Sequence, residues 1–229
     1  MTTTPRSILV TGAMLYALVL SDANASAAVF QVGGTGVSDC TFWCTDRLQQ
    51  VYASSLFSGP VAVTRISFFA SPFNGTAWDG IGTWQMTLST SNNPVGALDG
   101  TFANNVGADV AVFDTLTPPA GTLPVNAQVS FLGSFIYNPS MGDLLIDIQR
   151  TAGTEVGVGM DAGFAPGQID RAFSYDSTET ALAVNQNGYA LRTELETNPV
   201  PEPSALLLLG LSVFPPLAAL RRRRREGAR

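Results

Sequence analysis

From Ala28 to Pro199 the chain is a succession of short runs in which apolar side chains return at every second position, and no long window holds them at helical spacing. A period of two with one apolar face is the mark of a half-buried strand in an antiparallel sheet. Trp84, Met86 and Leu88 alternate with Gln85, Thr87 and Ser89, and Leu144, Ile146 and Ile148 oppose Leu145, Asp147 and Gln149. Val61, Val63, Arg65, Ser67 and Phe69 lie on one side of their run, and Ala62, Thr64, Ile66 and Phe68 on the other. The runs predict strands at Val29–Val32, Leu48–Ser54, Val61–Ala70, Thr83–Thr90, Ala108–Leu116, Gln128–Tyr137, Leu144–Arg150, Glu155–Met160, Ile169–Tyr175 and Tyr189–Leu195. Turn formers separate them: Pro72-Phe73-Asn74-Gly75, Ser91-Asn92-Asn93-Pro94, Asp99-Gly100, Pro118-Pro119 and Asn138-Pro139. The expected fold is all-β, an antiparallel β-sandwich with the jelly roll among its forms, carrying an N-terminal signal helix and a C-terminal transmembrane helix. A body of this length buries roughly 70% of its unfolded surface and can stand without disulfides. Core candidates are Phe68, Phe69, Trp84, Leu88, Phe131, Phe135, Leu145, Ile146, Ile148 and Phe173.

Composition removes whole classes of chemistry. The 229 residues include no His and no Lys. Every mechanism that uses imidazole is therefore excluded, as are Schiff-base chemistry and the P-loop lysine. The net charge of −6 is unevenly divided. Between Ala28 and Pro199 five arginines stand against fifteen acids, a net −10, while six of the twelve arginines lie in the last nine residues. A body this acidic repels phosphate backbones, so no nucleic-acid partner is expected.

Both ends read as addresses. Arg6 precedes the apolar stretch Ile8 to Leu20, and the small-residue sites Ala23-Asn24-Ala25 and Ala25-Ser26-Ala27 follow. That order predicts a secretory signal peptide over 1–27, removed by signal peptidase to leave Ser26 or Ala28 first. Export leaves 28–199 as the extracytoplasmic domain. At the other end, Val200-Pro201-Glu202-Pro203-Ser204 resists helix, 205–220 carries no charge, and Arg221, Arg222, Arg223, Arg224 and Arg225 form an unbroken basic block. An apolar helix ahead of arginines keeps the arginine end in the cytoplasm. The helix is a weak anchor: its 16 residues span roughly 24 Å against a hydrocarbon core of about 30 Å, and Pro215 and Pro216 interrupt it.

The sequence Val-Pro-Glu-Pro-Ser, the Leu-rich helix and the terminal arginines, in that order over Val200–Arg225, resemble the PEP-CTERM sorting signal. The Pro215-Pro216 pair departs from that pattern. The resemblance implies recognition and removal of the tail by an exosortase, a membrane-embedded cysteine transpeptidase-like enzyme of Gram-negative bacteria that make exopolysaccharide. It implies transient anchoring in the inner membrane, then delivery to the cell surface or extracellular matrix. In this reading Pro201, Glu202 and Pro203 are a substrate site for another enzyme. Thr101 to Leu116 and Tyr137 to Ile148 resemble ectodomains attached to such tails, which brings no activity with it.

Within the body, Cys40 and Cys44 are the only cysteines, and after export they are expected to close a small disulfide loop. Phe42 and Trp43 sit at its tip, as core plugs or as an exposed ridge. Trp43 and Trp78 are the candidate glycan contacts, and Trp84 with Tyr52, Tyr137, Tyr175 and Tyr189 could add flat stacking surfaces. Asp143, Asp147, Asp161, Asp170, Asp176, Glu155 and Glu179 form no recognisable acid pair for glycoside hydrolysis and read as a solvated surface. Asn104, Asn105 and Asp109 could offer oxygens to Ca²⁺, but their spacing matches no EF-hand or repeat loop. No cofactor or metal is expected. The expected function is a non-enzymatic structural or adhesive protein of the surface or matrix, associated with exopolysaccharide. A carbohydrate-binding module and a carboxylate glycosidase are the alternatives.

Overall fold

The computed structural model describes residues 27–40, 44–73, 76–77, 82–119, 121–154 and 159–200. All of the signal segment 1–27 except its last residue, the sorting tail from Pro201 onward, Trp43 and Trp78 lie outside the described residues. Among the described residues no helix is long and apolar enough to cross a membrane.

The described chain is all-β, built from antiparallel strands: β1 (Ala28–Val32), β2 (Val37–Cys40), β3 (Arg47–Tyr52), β4 (Val61–Phe69), β5 (Thr76–Ala77), β6 (Thr83–Thr90), β7 (Ala111–Leu116) and β8 (Thr122–Leu123). There follow β9 (Gln128–Tyr137), β10 (Leu144–Ala152), β11 (Gly159–Phe164), β12 (Ile169–Ser174), β13 (Ala183–Asn185), β14 (Tyr189–Leu191) and β15 (Thr193–Pro199), with one helical turn, α1 (Phe102–Asn105), between β6 and β7. A four-stranded sheet runs β1-β15-β4-β9, and a six-stranded sheet runs β13-β12-β3-β10-β6-β7. The strands β14-β11-β2 form a third sheet, and β5 pairs β8.

One apolar core lies between the two larger sheets. Val63, Ile66 and Phe68 of β4 and Phe131 and Phe135 of β9 meet Leu48 of β3, Trp84, Met86 and Leu88 of β6, and Leu144, Ile146 and Ile148 of β10. Alternation explains most of this set, since each strand turns every second residue inward. A smaller core covers the other face of the six-stranded sheet. There Val51, Leu145 and Ala172 meet Leu98 and Phe102 from the 91–110 segment. Leu145 is therefore buried as expected, but in the second core.

Several expectations need correction. The unbroken alternation of Val61 to Phe69 fails at Thr64, the one residue by which β4 exceeds β15 between Val63, opposite Thr197, and Arg65, opposite Glu196. A bulge inserts one residue and inverts the facing beyond it. Val61 and Val63 point inward before the bulge, and Ile66 and Phe68 after it. Phe69 is buried outside both cores, with the Arg192 guanidinium 4.0 Å from its ring centroid. Phe173 is half-buried at the rim of the main core. The run Tyr189–Leu195 is two strands, because Arg192 is where the chain leaves the third sheet and joins β4. Strand β9 carries its own irregularity at Gly133. A Cβ there would stand 2.3 Å from the Phe113 carbonyl oxygen of β7, so glycine lets the edges of the two larger sheets approach.

The two ends of the body leave from paired strands. β1 and β15 run side by side, with Ala28 opposite Thr197 and Val32 opposite Thr193. The Val200 N–H donates to the Pro60 carbonyl at 3.1 Å.

Candidate ligand-binding surface

The aromatic residues separate into a buried and an exposed group. Trp84, Tyr52 and Tyr137 are fully buried, which removes all three as stacking surfaces for a ligand. Tyr52 ends the inward set Leu48, Gln50, Tyr52, and its hydroxyl meets Thr193 Oγ1 at 2.7 Å. Tyr137 ends the inward set of β9 and donates to the Gly142 carbonyl at 2.6 Å. Burial raises the pKa of both phenols well above the ordinary value.

Tyr175 and Tyr189 belong to a different environment. Together with Phe164, Arg171 and Phe173 they form a stack of five planar groups. The Phe164 and Tyr189 rings are 4.9 Å apart, and the Arg171 guanidinium lies 4.7 Å from the Tyr189 centroid. The same guanidinium lies 4.8 Å from Phe173, whose ring is 5.4 Å from Tyr175. Three strands build the stack: Phe164 ends β11, Tyr189 opens β14, and Arg171 and Phe173 share a face of β12, with Tyr175 just beyond that strand. Its ends are open, with Phe164 59% and Tyr175 41% exposed, while Arg171 at the centre is buried.

A buried guanidinium is costly unless it is compensated. Two ring faces attract it, and Asp39 of β2 neutralises it at 2.5 Å. Burial, then the Asp39 charge and its hydrogen bond, push the Tyr189 phenol up to about 12, against the opposing pull of Arg171. The stack thus pairs its central charge with Asp39 and leaves an aromatic ring exposed at each end. Phe164 and Arg171 were not singled out from sequence. Their only signals are a large apolar residue just ahead of the turn Ala165-Pro166-Gly167, and an arginine at an inward position of a strand.

All five arginines of the body are in ion pairs. Arg47 pairs with Asp147, Arg65 with Glu194 and Glu196, Arg150 with Asp46, Arg171 with Asp39, and Arg192 with Asp161. Among the described residues no arginine is left uncommitted for an anionic ligand.

The carboxylates are not the loose solvated surface expected from sequence, because many of them hold backbone. Asp143 accepts from the N–H groups of Ser54 and Val95 at 2.7 and 2.9 Å. Asp170 accepts from those of Gly96 and Gly188, and Asp161 from Gly36 N–H and the Thr35 hydroxyl. Asp109 caps Thr90 through its N–H and hydroxyl. Asp99 accepts from Thr101 N–H, which lowers its pKa. Asp143, Asp161 and Asp170 tie distant segments together, whereas the Asp99 bond is local to its own turn. Asn105 is buried, its amide donating to Gln49 Oε1 and the Asp99 carbonyl. Asn105 Oδ1 accepts from Asn93 Nδ2 and Asp99 N–H, and the Asp109 oxygens from Thr90, so both are spent on protein donors, and the described residues contain no cluster of three or more acidic or cysteine ligands.

Cys44 is buried, and the described residues include no free cysteine. Of the sorting motif, Val200 alone is described; Pro201 to Ser204 and the Arg221 to Arg225 block lie outside.

No family model matches the chain, and no curated protein matches it. A solved structure to which it is similar, a chain of the T13 IBDV viral particle, is 9% identical over 87% of this chain, with a TM-score of 0.26. The present chain spans 47% of the length of that one. A likeness this distant says nothing about what the chain does.

Proposed function

We propose that the chain is an exported, non-enzymatic β-sandwich protein, sorted to the cell surface or matrix, where it serves as a structural or adhesive component associated with exopolysaccharide. The observation that carries this reading is the tail: Val200-Pro201-Glu202-Pro203-Ser204, an uncharged Leu-rich stretch, then Arg221 to Arg225. An exosortase removes that tail after signal peptidase has removed the leader, and a Cys40–Cys44 disulfide closes in the oxidising compartment beyond the membrane. The close of β15 at Pro199, immediately before the motif, fits a folded cargo followed directly by its address. Carboxylates committed to loop N–H groups fit a body without acid-base work.

The test is replacement of Pro201, Glu202 and Pro203 by alanine. The variant should remain in the inner membrane as the uncleaved form, whereas normal delivery to the surface would break the link to an exosortase.

A second reading, a carbohydrate-binding module, is favoured by the exposed ends of the planar stack. Hexose rings lay their C–H faces on aromatic side chains, and Phe164 and Tyr175 present such faces. Under this reading Phe164→Ala with Tyr175→Ala reduces retention on an immobilised neutral polysaccharide severalfold. Unchanged retention removes the stack from the account.

A further inference from the structure

The outer face of the six-stranded sheet carries a groove of ≈ 190 Å³, separate from the aromatic stack. Its floor is the Arg47–Asp147 pair. Arg47 Nε and Nη2 donate to the two oxygens of Asp147 at 2.9 and 2.5 Å, and Nη1 donates to the Thr178 carbonyl at 2.6 Å. Gln49 adds a third donor to Asp147, at 2.9 Å. The guanidinium charge on the floor is therefore matched by the Asp147 carboxylate, and each of its three nitrogens is held by a hydrogen bond.

Three polar side chains on the groove are uncommitted. Gln85 of β6 and Gln149 of β10 are directly opposite one another, and Thr87 is two residues along β6 on the same face. Within the described residues none of the three makes a side-chain hydrogen bond, although the neighbouring Gln49, Asp147 and Asn105 are fully engaged. A side-chain amide donates and accepts at once, so two of them side by side match adjacent hydroxyls on one ring. Val106 and Val110 line the groove with apolar surface, and Val110 is 47% exposed.

We propose that this groove binds a single neutral, hydroxyl-rich ring of hexose size, with Gln85, Gln149 and Thr87 on its hydroxyls and the two valines against its C–H face. The charge-matched floor and the acidic body select against carboxylated rings. The proposal does not depend on the sorting reading, since binding and delivery are measured separately. One ring gives few contacts, so the dissociation constant falls in roughly the millimolar range.

The experiment is saturation-transfer NMR with calorimetry on the full-length protein, held in a detergent without a sugar headgroup. The probes are glucose, galactose, mannose, N-acetylglucosamine and glucuronate. At least one neutral ring should bind saturably. The Gln85→Ala, Gln149→Ala double variant should weaken it about tenfold or more through two lost hydrogen bonds. Val110→Trp, at an exposed position, should block it while the circular dichroism stays that of the parent. Binding of no neutral ring below about 100 mM, some twentyfold or more above the expected range, overturns the proposal. So does binding that both variants leave unchanged, or a preference for glucuronate.

Discussion

Replacing Asp147 with alanine should destabilise the body by about 3–5 kcal/mol, because it leaves a mostly buried guanidinium with no counter-charge. Arg47 is held by both Asp147 oxygens, its side chain is 16% exposed, and Asp147 is 6% exposed. The same change strips Gln49 of an acceptor at 2.9 Å. Against a total stability of order 5–15 kcal/mol the loss is large, and the melting temperature should fall by about 6–20 °C. The pair itself is worth much less than its disruption suggests. Taking two charges out of water offsets most of their attraction, so the double variant Arg47→Met, Asp147→Leu should recover most of the loss. Urea unfolding of the three proteins separates the two quantities. A loss below about 1 kcal/mol for Asp147→Ala would mean the guanidinium reaches water and the floor of the groove is not fixed.

Gly107→Ala should also be severely destabilising, by about 3 kcal/mol, although it adds a single methyl group. A Cβ at Gly107 would stand 1.9 Å from the Thr90 carbonyl oxygen and 3.1 Å from Asp109 Oδ1. The first of these is main chain at the end of β6 and cannot swing aside. The covering segment must lift instead. That strains the Gly107 N–H bond to Ser89 Oγ and loosens Leu98 and Phe102 from Val51, Leu145 and Ala172. Gly100 lies in the same segment with open space around its Cβ position, so Gly100→Ala should stay within about 0.5 kcal/mol. Equal effects of the two changes on the urea midpoint would show that the close approach at Gly107 is not what holds the cover down.

Periodicity made part of this architecture legible and hid the rest. Trp84, Met86 and Leu88, with Ile146 and Ile148, were readable as core because β6 and β10 alternate without interruption through those positions. The facing of β4 was not, since a bulge changes parity without any residue type that marks it. The second core escaped because its cover is joined to the sheet only in space. Val51 and Leu145 are apolar at outward positions, and the partners that bury them, Leu98 and Phe102, lie in a segment read from its turn residues as loop. Tyr52 and Tyr137 looked like stacking surfaces, but each continues the inward set of a strand and finds a hydrogen bond inside. The candidate surfaces were the least visible. The stack needs Asp39, Phe164, Arg171 and Tyr189 from four strands, and the groove needs two glutamines whose significance is that nothing else engages them.

The sorting account is tested most directly by the intact mass of the protein recovered from its final compartment. The account predicts a chain in the surface or matrix fraction that begins at Ser26 or Ala28, ends at the Val200–Ser204 motif, and is two mass units lighter than its reduced form, a loss of about two hydrogens on closing one disulfide. A full-length chain free in the cytosol, with its leader, arginine tail and both thiols intact, would contradict it.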